Sequence, residues 1–273
     1  HGLILMEEKD QALTRCITWA DLRAAAVSDE WRRTGEAHAL YQRSGVPVHP
    51  MSPICKIRWV KEHDPSLFVR AKRFIGIKEY VLHRLSGQYI IDSSTAAATG
   101  LMNGNTLQWD AVLLQHAGIQ QAQLSDIVAP DHAVPSVAIQ AVPVLAAGTL
   151  LYAGASDGAC ATVASGITGT AAMAISVGTS GAARVMVQGF QPDEQMRTFC
   201  YHVKEDNYIT GGATNNGAIV LDWLLDQMIG PVQDFSAFMD EVAAMEPGAE
   251  GLIMLPYLQG ERAPIWDAKA SGV

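Results

Sequence analysis

The chain opens on an apolar run, residues 1–6 (HGLILM), followed by a polar stretch at Glu7–Asp10 and a second apolar run. This is the pattern of a strand, a turn and a return strand continuing through RCITWADLR. From Asp21 to about Gln42 apolar positions recur at helical spacing, and the prolines of SGVPVHPMSP then break the pattern. Short helices are predicted over Ile54–Glu62 and Ser66–Ala71. A longer one is predicted over FIGIKEYVLHRLSG, stopped by Gly87. QYIID reads as a strand entering SSTAAATG, and Trp109–Ala117 as a helix. A Pro-rich joint at Pro130–Pro143 precedes GTLLYAGASDG, which closes the first half.

In the second half, AAMAISVGTSGAARVMVQ reads as two strands around a Gly/Ser turn, and TFCYHVKEDNYITGG as a hairpin turning at Glu205–Asn207. Gly217–Met228 and Phe235–Met245 carry helical spacing, and GLIMLPYL has the continuous apolar character of a buried strand. Strands alternating with helices predict an α/β protein whose halves meet near residues 165–172.

Composition narrows this picture. At 273 residues the chain is long enough for two domains with a substantial core, and 49% hydrophobic with 17% charged residues is a globular profile. A net charge of −9 argues against a nucleic-acid partner, which requires a basic face. An anionic substrate must then be met by local cations or backbone N–H groups. The cysteines Cys16, Cys55, Cys160 and Cys200 lie far apart, with no CxxC pair and no zinc spacing, as expected of reduced thiols in a cytoplasmic protein. Ala159–Val177 is the one segment resembling a membrane span, and its Ala, Gly, Ser and Thr content falls short of one. The opening His and the abrupt IWDAKASGV end read as those of an internal piece of a longer protein.

Four stretches carry candidate chemistry. GASDGACATVASG places Asp157 where a strand hands over to a helix, as a helix cap or as a group that takes a proton from a hydroxyl. SVGTSGAAR sets Gly178, Thr179, Ser180 and Gly181 between β-rich runs, as a plain hairpin turn or a phosphate-binding loop. GGATNNGAIVLDW puts a Gly/Asn loop before a helix, as caps or as an anion-receiving helix start. PYLQGERAP carries Glu261 and Arg262 after an apolar run, as a solvated loop pair or as part of a site.

Taken in order, these stretches resemble the FGGY carbohydrate kinases. MSPICKIRWVKEH, residues 51–63, fits the signature of that family with its Pro opening, Lys56, Trp59 and acid–His end, and GASDG, GTSG and PYLQGERAPIWD follow in the family's order. CITWADLR, VPVHPMSP, FIGIKEYVLHRL, TFCYHV, GGATNNGAIVLDW and YLQGERAPIWD are similar in particular to the members that phosphorylate gluconate. The resemblance covers the whole chain.

The resemblance implies two ribonuclease-H-like (actin-like ATPase) α/β domains with a cleft between them, both incomplete here. Residues 1–168 would be the rest of the sugar-binding domain and 169–273 the start of the nucleotide-binding domain. It implies ATP-dependent phosphorylation of D-gluconate to 6-phosphogluconate. A xylulose or ribulose kinase of the same family, or an inactive sugar-binding fragment, is the alternative. Asp157 then matches the catalytic base. Gly178, Thr179 and Ser180 match the second phosphate loop, and Gly217 and Ala218 line the nucleotide site, with Ala218 standing where glycine is often found. His1, Gly2, Trp19, Asp21 and Arg23 match sugar contacts, while Ser93 stands where the family often has an aromatic residue. Lys78 and Arg262 are candidates for reading the sugar acid's carboxylate. The cofactors implied are ATP and Mg²⁺, with no metal held by the protein itself. The partner is a small sugar acid, with no nucleic acid and no membrane, and a homodimer is an allowed assembly.

Overall fold

A computed structural model describes residues 1–137 and 146–272. The described chain is α/β and divides into two compact units. One comprises His1–Ala174 and Arg184–Gly211, the other Ile175–Ala183 and Gly212–Val273.

In the first unit, β1 (Ile4–Met6) pairs antiparallel with β2 (Arg73–Ile75), Leu5 opposite Phe74. The expected return strand is reduced to isolated bridges, Leu3 with Ile17 and Met6 with Ala12. The full ladder of β1 is with sequence-distant β2, on its other edge. The helix predicted over Asp21–Gln42 is two helices, α1 (Ala25–Thr34) and α2 (Glu36–Ser44). Gly35 at φ +84° separates them, a left-handed conformation that ends the first helix. After α3 (Pro53–His63) and α4 (Pro65–Arg70), Phe74 and Ile75 belong to β2 and not to the predicted helix. That helix begins only at α5 (Ile77–Ser86), and Gly87 ends it as expected.

Next come β3 (Ile90–Asp92), α6 (Ser93–Ala97), α7 (Ala111–Ala117) and β4 (Asp126–Val128), with β3 and β4 parallel. Then β5 (Ala133–Pro135), inside the stretch predicted as a joint, pairs antiparallel with β6 (Leu150–Tyr152) beyond it. The remainder of that joint lies in part outside the described residues. The core of this unit joins α1, α2, α3, α7 and β1 through Leu5, Val27, Trp31, Leu40, Ile57 and Leu113. Burying such side chains contributes about 1.5–3 kcal/mol each.

Helix α8 (Asp157–Ala164) ends well short of Val177, and no helix of the described residues is long and apolar enough to cross a membrane. The sheet that follows has the order β7 (Ala174–Val177), β8 (Gly181–Gln188), β10 (Asn207–Thr214), β9 (Phe199–Lys204). Both predicted hairpins are present in it. The next predicted helix is shorter than the pattern suggests: α9 (Ile219–Leu224) runs into a π-helical turn at Leu225–Ile229. After α10 (Phe235–Ala243), the buried strand expected in GLIMLPYL is not formed. Leu252 and Ile253 are 80% and 83% exposed, and among the described residues no neighbouring strand pairs with them. Apolar character supplies the material for a strand, but a strand also needs a partner edge.

Candidate functional site

In the first unit the loop Gly154–Asp157 is held from several directions. Lys78, in the first turn of α5, donates to Ala155 O at 3.1 Å and lies 2.5 Å from Asp92 Oδ2. Asp92 is fully buried and caps α6 by accepting from the Thr95 N–H at 2.8 Å. Ser156 and Ser94 meet through their hydroxyls at 3.1 Å, and Ser156 Oγ accepts from the Ala159 N–H. The cap of α8 is therefore Ser156. Asp157 follows as the first helical residue, exposed, its Oδ1 accepting only from the neighbouring Gly158 N–H at 2.8 Å. The capping role weighed for Asp157 belongs to the serine before it, and Asp157 itself stands exposed at the positive end of a helix.

His1, Gly2, Lys78, Glu79 and Thr95 line one cavity of about 90 Å³. His1 Nδ1 is buried and has no hydrogen-bond partner among the described residues, and the charge of Asp157 acts on the His1 amino group. Glu79 closes the far side, accepting from the Gly76 N–H at 2.5 Å and from Ser125 Oγ at 2.6 Å. Burial pushes its carboxyl up to about 7.

The segment Trp19–Arg23 stands apart from that cavity. Asp21 and Arg23 line a second hollow of about 390 Å³ with Cys16, Trp59 and His63. There Arg23 forks onto Asp21 at 2.9 and 3.0 Å and holds the Asp21 carboxyl below the usual aspartate range. Its guanidinium also lies over the Trp59 ring at 5.2 Å, and Trp19 is 49% exposed. Ser93, the departure from the family pattern, bonds to buried His202 Nδ1 at 2.9 Å.

In the second unit Gly178, Thr179, Ser180, Gly217 and Ala218 do come together. Gly217 N–H donates to Thr179 O (3.1 Å) and Ala218 N–H to Gly178 O (2.7 Å). A Cβ on Gly217 would stand 2.6 Å from both Gly178 O and Ser180 C, so only glycine fits there. Because these amides and that of Ile219 are taken by loop carbonyls, the start of α9 is not the anion-receiving helix end that the sequence suggested. The amides of Thr179 and Ser180 are not consumed by this clasp and lie with Thr179 Oγ1 at an exposed turn.

Glu261 is not a solvated loop residue. It is 4% exposed and accepts from Thr214 Oγ1, Asn215 N–H, Asn216 Nδ2 and Arg262 N–H at 2.7–3.0 Å. Arg262 donates through Nη2 to Thr214 O at 2.7 Å. The backbone of Asn215–Asn216 is likewise committed, to Glu261 and Thr214.

Sequence reasoning missed Ser156, Asp92 and Glu79, and it named Glu261 and Lys56 without the roles the structure gives them. Two of these left a signal. Asp92 precedes Ser-Ser-Thr as an N-cap does, and Glu79 stands three residues after Gly76, the capping-box interval. No group of three or more His, Cys, Asp or Glu among the described residues could hold a metal ion.

An acid at a strand–helix turn and a glycine-clasped hydroxyl loop thus stand in one α/β chain. Residues 1–164 match the N-terminal domain, and residues 173–273 the C-terminal domain, of the FGGY family of carbohydrate kinases, and the chain belongs to that family. It is 38% identical over its whole length to a gluconokinase of Bacillus licheniformis, of which it covers 55%. It superimposes on a gluconate kinase from Lactobacillus acidophilus with TM-score 0.95 and 37% identity, covering 100% of this chain and 56% of that one. A ligand-bound xylulose kinase from the same organism gives TM-score 0.95 and 38% identity, with the same coverage. The chain thus spans a little over half the length of the relatives it matches.

Proposed function

We propose that this chain carries the sugar-acid site and part of the nucleotide site of a kinase that transfers the γ-phosphoryl of ATP to the terminal hydroxyl of D-gluconate, giving 6-phosphogluconate. The observation that carries this reading is the state of Asp157: positioned at a helix start, relieved of capping by Ser156, and open to solvent. An attacking alcohol must lose its proton, and a carboxylate within hydrogen-bond reach accepts it. His1 and Gly2 would contact the sugar acid, with Trp19, Asp21 and Arg23 bordering it and Lys78 or Arg262 meeting its carboxylate.

The residues at the second-unit turn fit a phosphate. Thr179 and Ser180 would donate amides and hydroxyls to it, while Gly217 and Ala218 fix the turn from behind. ATP supplies the phosphoryl group. Mg²⁺ would arrive on the phosphates, since it is held largely by phosphate oxygens and water in such sites. In this reading residues 1–168 form the sugar-binding domain and 169–273 belong to the nucleotide-binding domain. The protein acts in the cytoplasm, and a homodimer is compatible with this chemistry.

The similarity to a xylulose kinase supports a second reading, in which a neutral ketose replaces the sugar acid. Release of ADP by an active kinase carrying these residues, assayed over gluconate, xylulose and ribulose, separates the two. Gluconate is expected to give the highest kcat/KM. A higher value with xylulose would favour the second reading, and no turnover with any sugar would favour an inactive sugar-binding protein.

A further inference from the structure

Lys56 is a lysine with no exposed surface, in the middle of α3 between Cys55 and Ile57, which are equally buried. An ammonium in such a place must spend its protons on acceptors. It does so on backbone carbonyls alone: Thr18 O at 2.6 Å, His1 O at 2.8 Å and Ile17 O at 3.4 Å. These carbonyls belong to two separate segments. One is the approach to β1, the other the stretch returning beside it, joined by the bridge Leu3–Ile17. The rungs further into the chain, such as Met6–Ala12, lie on the other side of that bridge; on its near side the two segments proceed to the candidate sugar contacts, His1 and Gly2 on one strand, Trp19 to Arg23 on the other.

We infer that Lys56 is a positioning residue for the sugar acid: its ammonium ties the His1 and Thr18 backbones to one point and so sets the spacing of the groups that bind the ligand, without touching the ligand itself. The inference rests on the reading of those segments given under the proposed function. Trp59, one turn further along α3, supports the same stretch through Arg23. The family signature in this helix then acts as a support for the binding segments.

The charge of Lys56 has a consequence that can be measured. Burial lowers its pKa to about 8, against the raising effects of Asp21, Cys16 and Cys55, with Arg23 lowering it further. The His1 amino group also faces it. Above that pH the neutral amine keeps two N–H donors for three carbonyls and loses the charge that strengthens those bonds, so the tie between the segments weakens.

The test uses this chain with gluconate as the probe, titrated calorimetrically from pH 6.5 to 9.5, in the unaltered protein, Lys56→Met and Lys56→Gln. The indole N–H resonance of Trp19, assigned with Trp19→Phe, is followed over the same range. Affinity in the unaltered chain is expected to fall at least tenfold as pH rises through about 8, with the Trp19 signal moving on the same midpoint. Both variants are expected to bind at least tenfold more weakly at pH 6.5 and to lack the pH step. A folded variant binding as the parent does, or an unaltered chain with a flat profile and a static Trp19 signal, overturns the inference. If the variants fail to fold, the profile of the unaltered chain decides alone. A chain that binds no gluconate at any pH, while the Trp19 signal still moves, removes the functional reading and leaves the clasp standing as a structural device only.

Discussion

Ser156 caps helix α8 and Asp157, beside it, does not: the serine Oγ accepts from the Ala159 N–H, while the aspartate bonds only to the next residue. Neighbouring residues have divided two tasks that one carboxylate could have combined. Stability and chemistry at this turn should therefore separate under mutation. Ser156→Ala is expected to cost about 1 kcal/mol in denaturant unfolding, the usual size of a lost N-cap. Asp157→Asn should change stability by less than about 0.5 kcal/mol, as at an exposed site. In an active kinase carrying these residues it should lower kcat by about 10²–10⁴-fold with KM little changed. A large stability loss in Asp157→Asn would return Asp157 to a structural role.

Glu79 makes stability depend on pH in a direction opposite to that of most carboxylates. Its folded-state pKa is raised by burial to about 7 from 4.5. Below about 4.5 both states hold the proton and no difference arises. Between the two values the unfolded chain has released the proton and the folded chain retains it, so stability falls as pH rises. The fall is complete above about pH 7 and amounts to about 3 kcal/mol at most. Urea midpoints measured from pH 5 to pH 8 should decline for the unaltered chain, and the decline should flatten in Glu79→Gln. An unchanged slope in the variant would show that Glu79 ionises normally.

The two cations proposed to read a carboxylate are not equivalent. The ammonium of Lys78 is bound to the buried carboxylate of Asp92, whereas the planar fork of Arg262, which donates to Thr214 O, is suited to grip both oxygens of a carboxylate. Lys78→Met should strand Asp92 and cost about 3–5 kcal/mol of stability. Its effect on gluconate and on a neutral polyol should then be equal. Arg262→Met should weaken gluconate by about 2–5 kcal/mol and the neutral polyol much less. Calorimetry with both ligands distinguishes these patterns, and equal losses for Arg262→Met would leave the carboxylate to backbone donors.

What the sequence made legible here is what local pattern controls. Both hairpins of the second sheet, the stop at Gly87 and the turn at Gly178–Ser180 follow from side-chain period and glycine placement. What it hid are choices made between distant residues. Strand β1 bridges to its own return segment, as the pattern suggested, but its full ladder is with β2, far along the chain, which no local period announces. The GLIMLPYL run looked like a core strand because hydrophobicity does not say whether a partner edge is present. At the candidate site, motif residues were visible by spacing, whereas Lys56 and Glu261 owe their roles to acceptors and donors many residues away. No period in the sequence encodes such pairs.

Gly217 offers a test of the second-unit turn that does not depend on the sugar. Its φ is not in the left-handed region, so alanine is excluded there by space alone, with backbone atoms of Gly178 and Ser180 at 2.6 Å from the would-be Cβ. Backbone held by the Gly217 and Ala218 N–H bonds cannot move aside as a flexible side chain can. Gly217→Ala should therefore cost about 1–3 kcal/mol by overpacking and displace the Thr179 loop. Gly169 is the control: a Cβ there meets nothing within 4 Å and its φ is likewise unstrained. Gly169→Ala should be neutral or stabilise by up to about 1 kcal/mol, through the lost freedom of the unfolded chain. Denaturant unfolding of both variants, with binding of a fluorescent ATP analogue followed in parallel, gives two readouts. Gly217→Ala should lose stability and nucleotide together, while Gly169→Ala keeps both. If Gly217→Ala bound the nucleotide as tightly as the parent despite its lost stability, the turn at Thr179 would be a hairpin and not a phosphate loop.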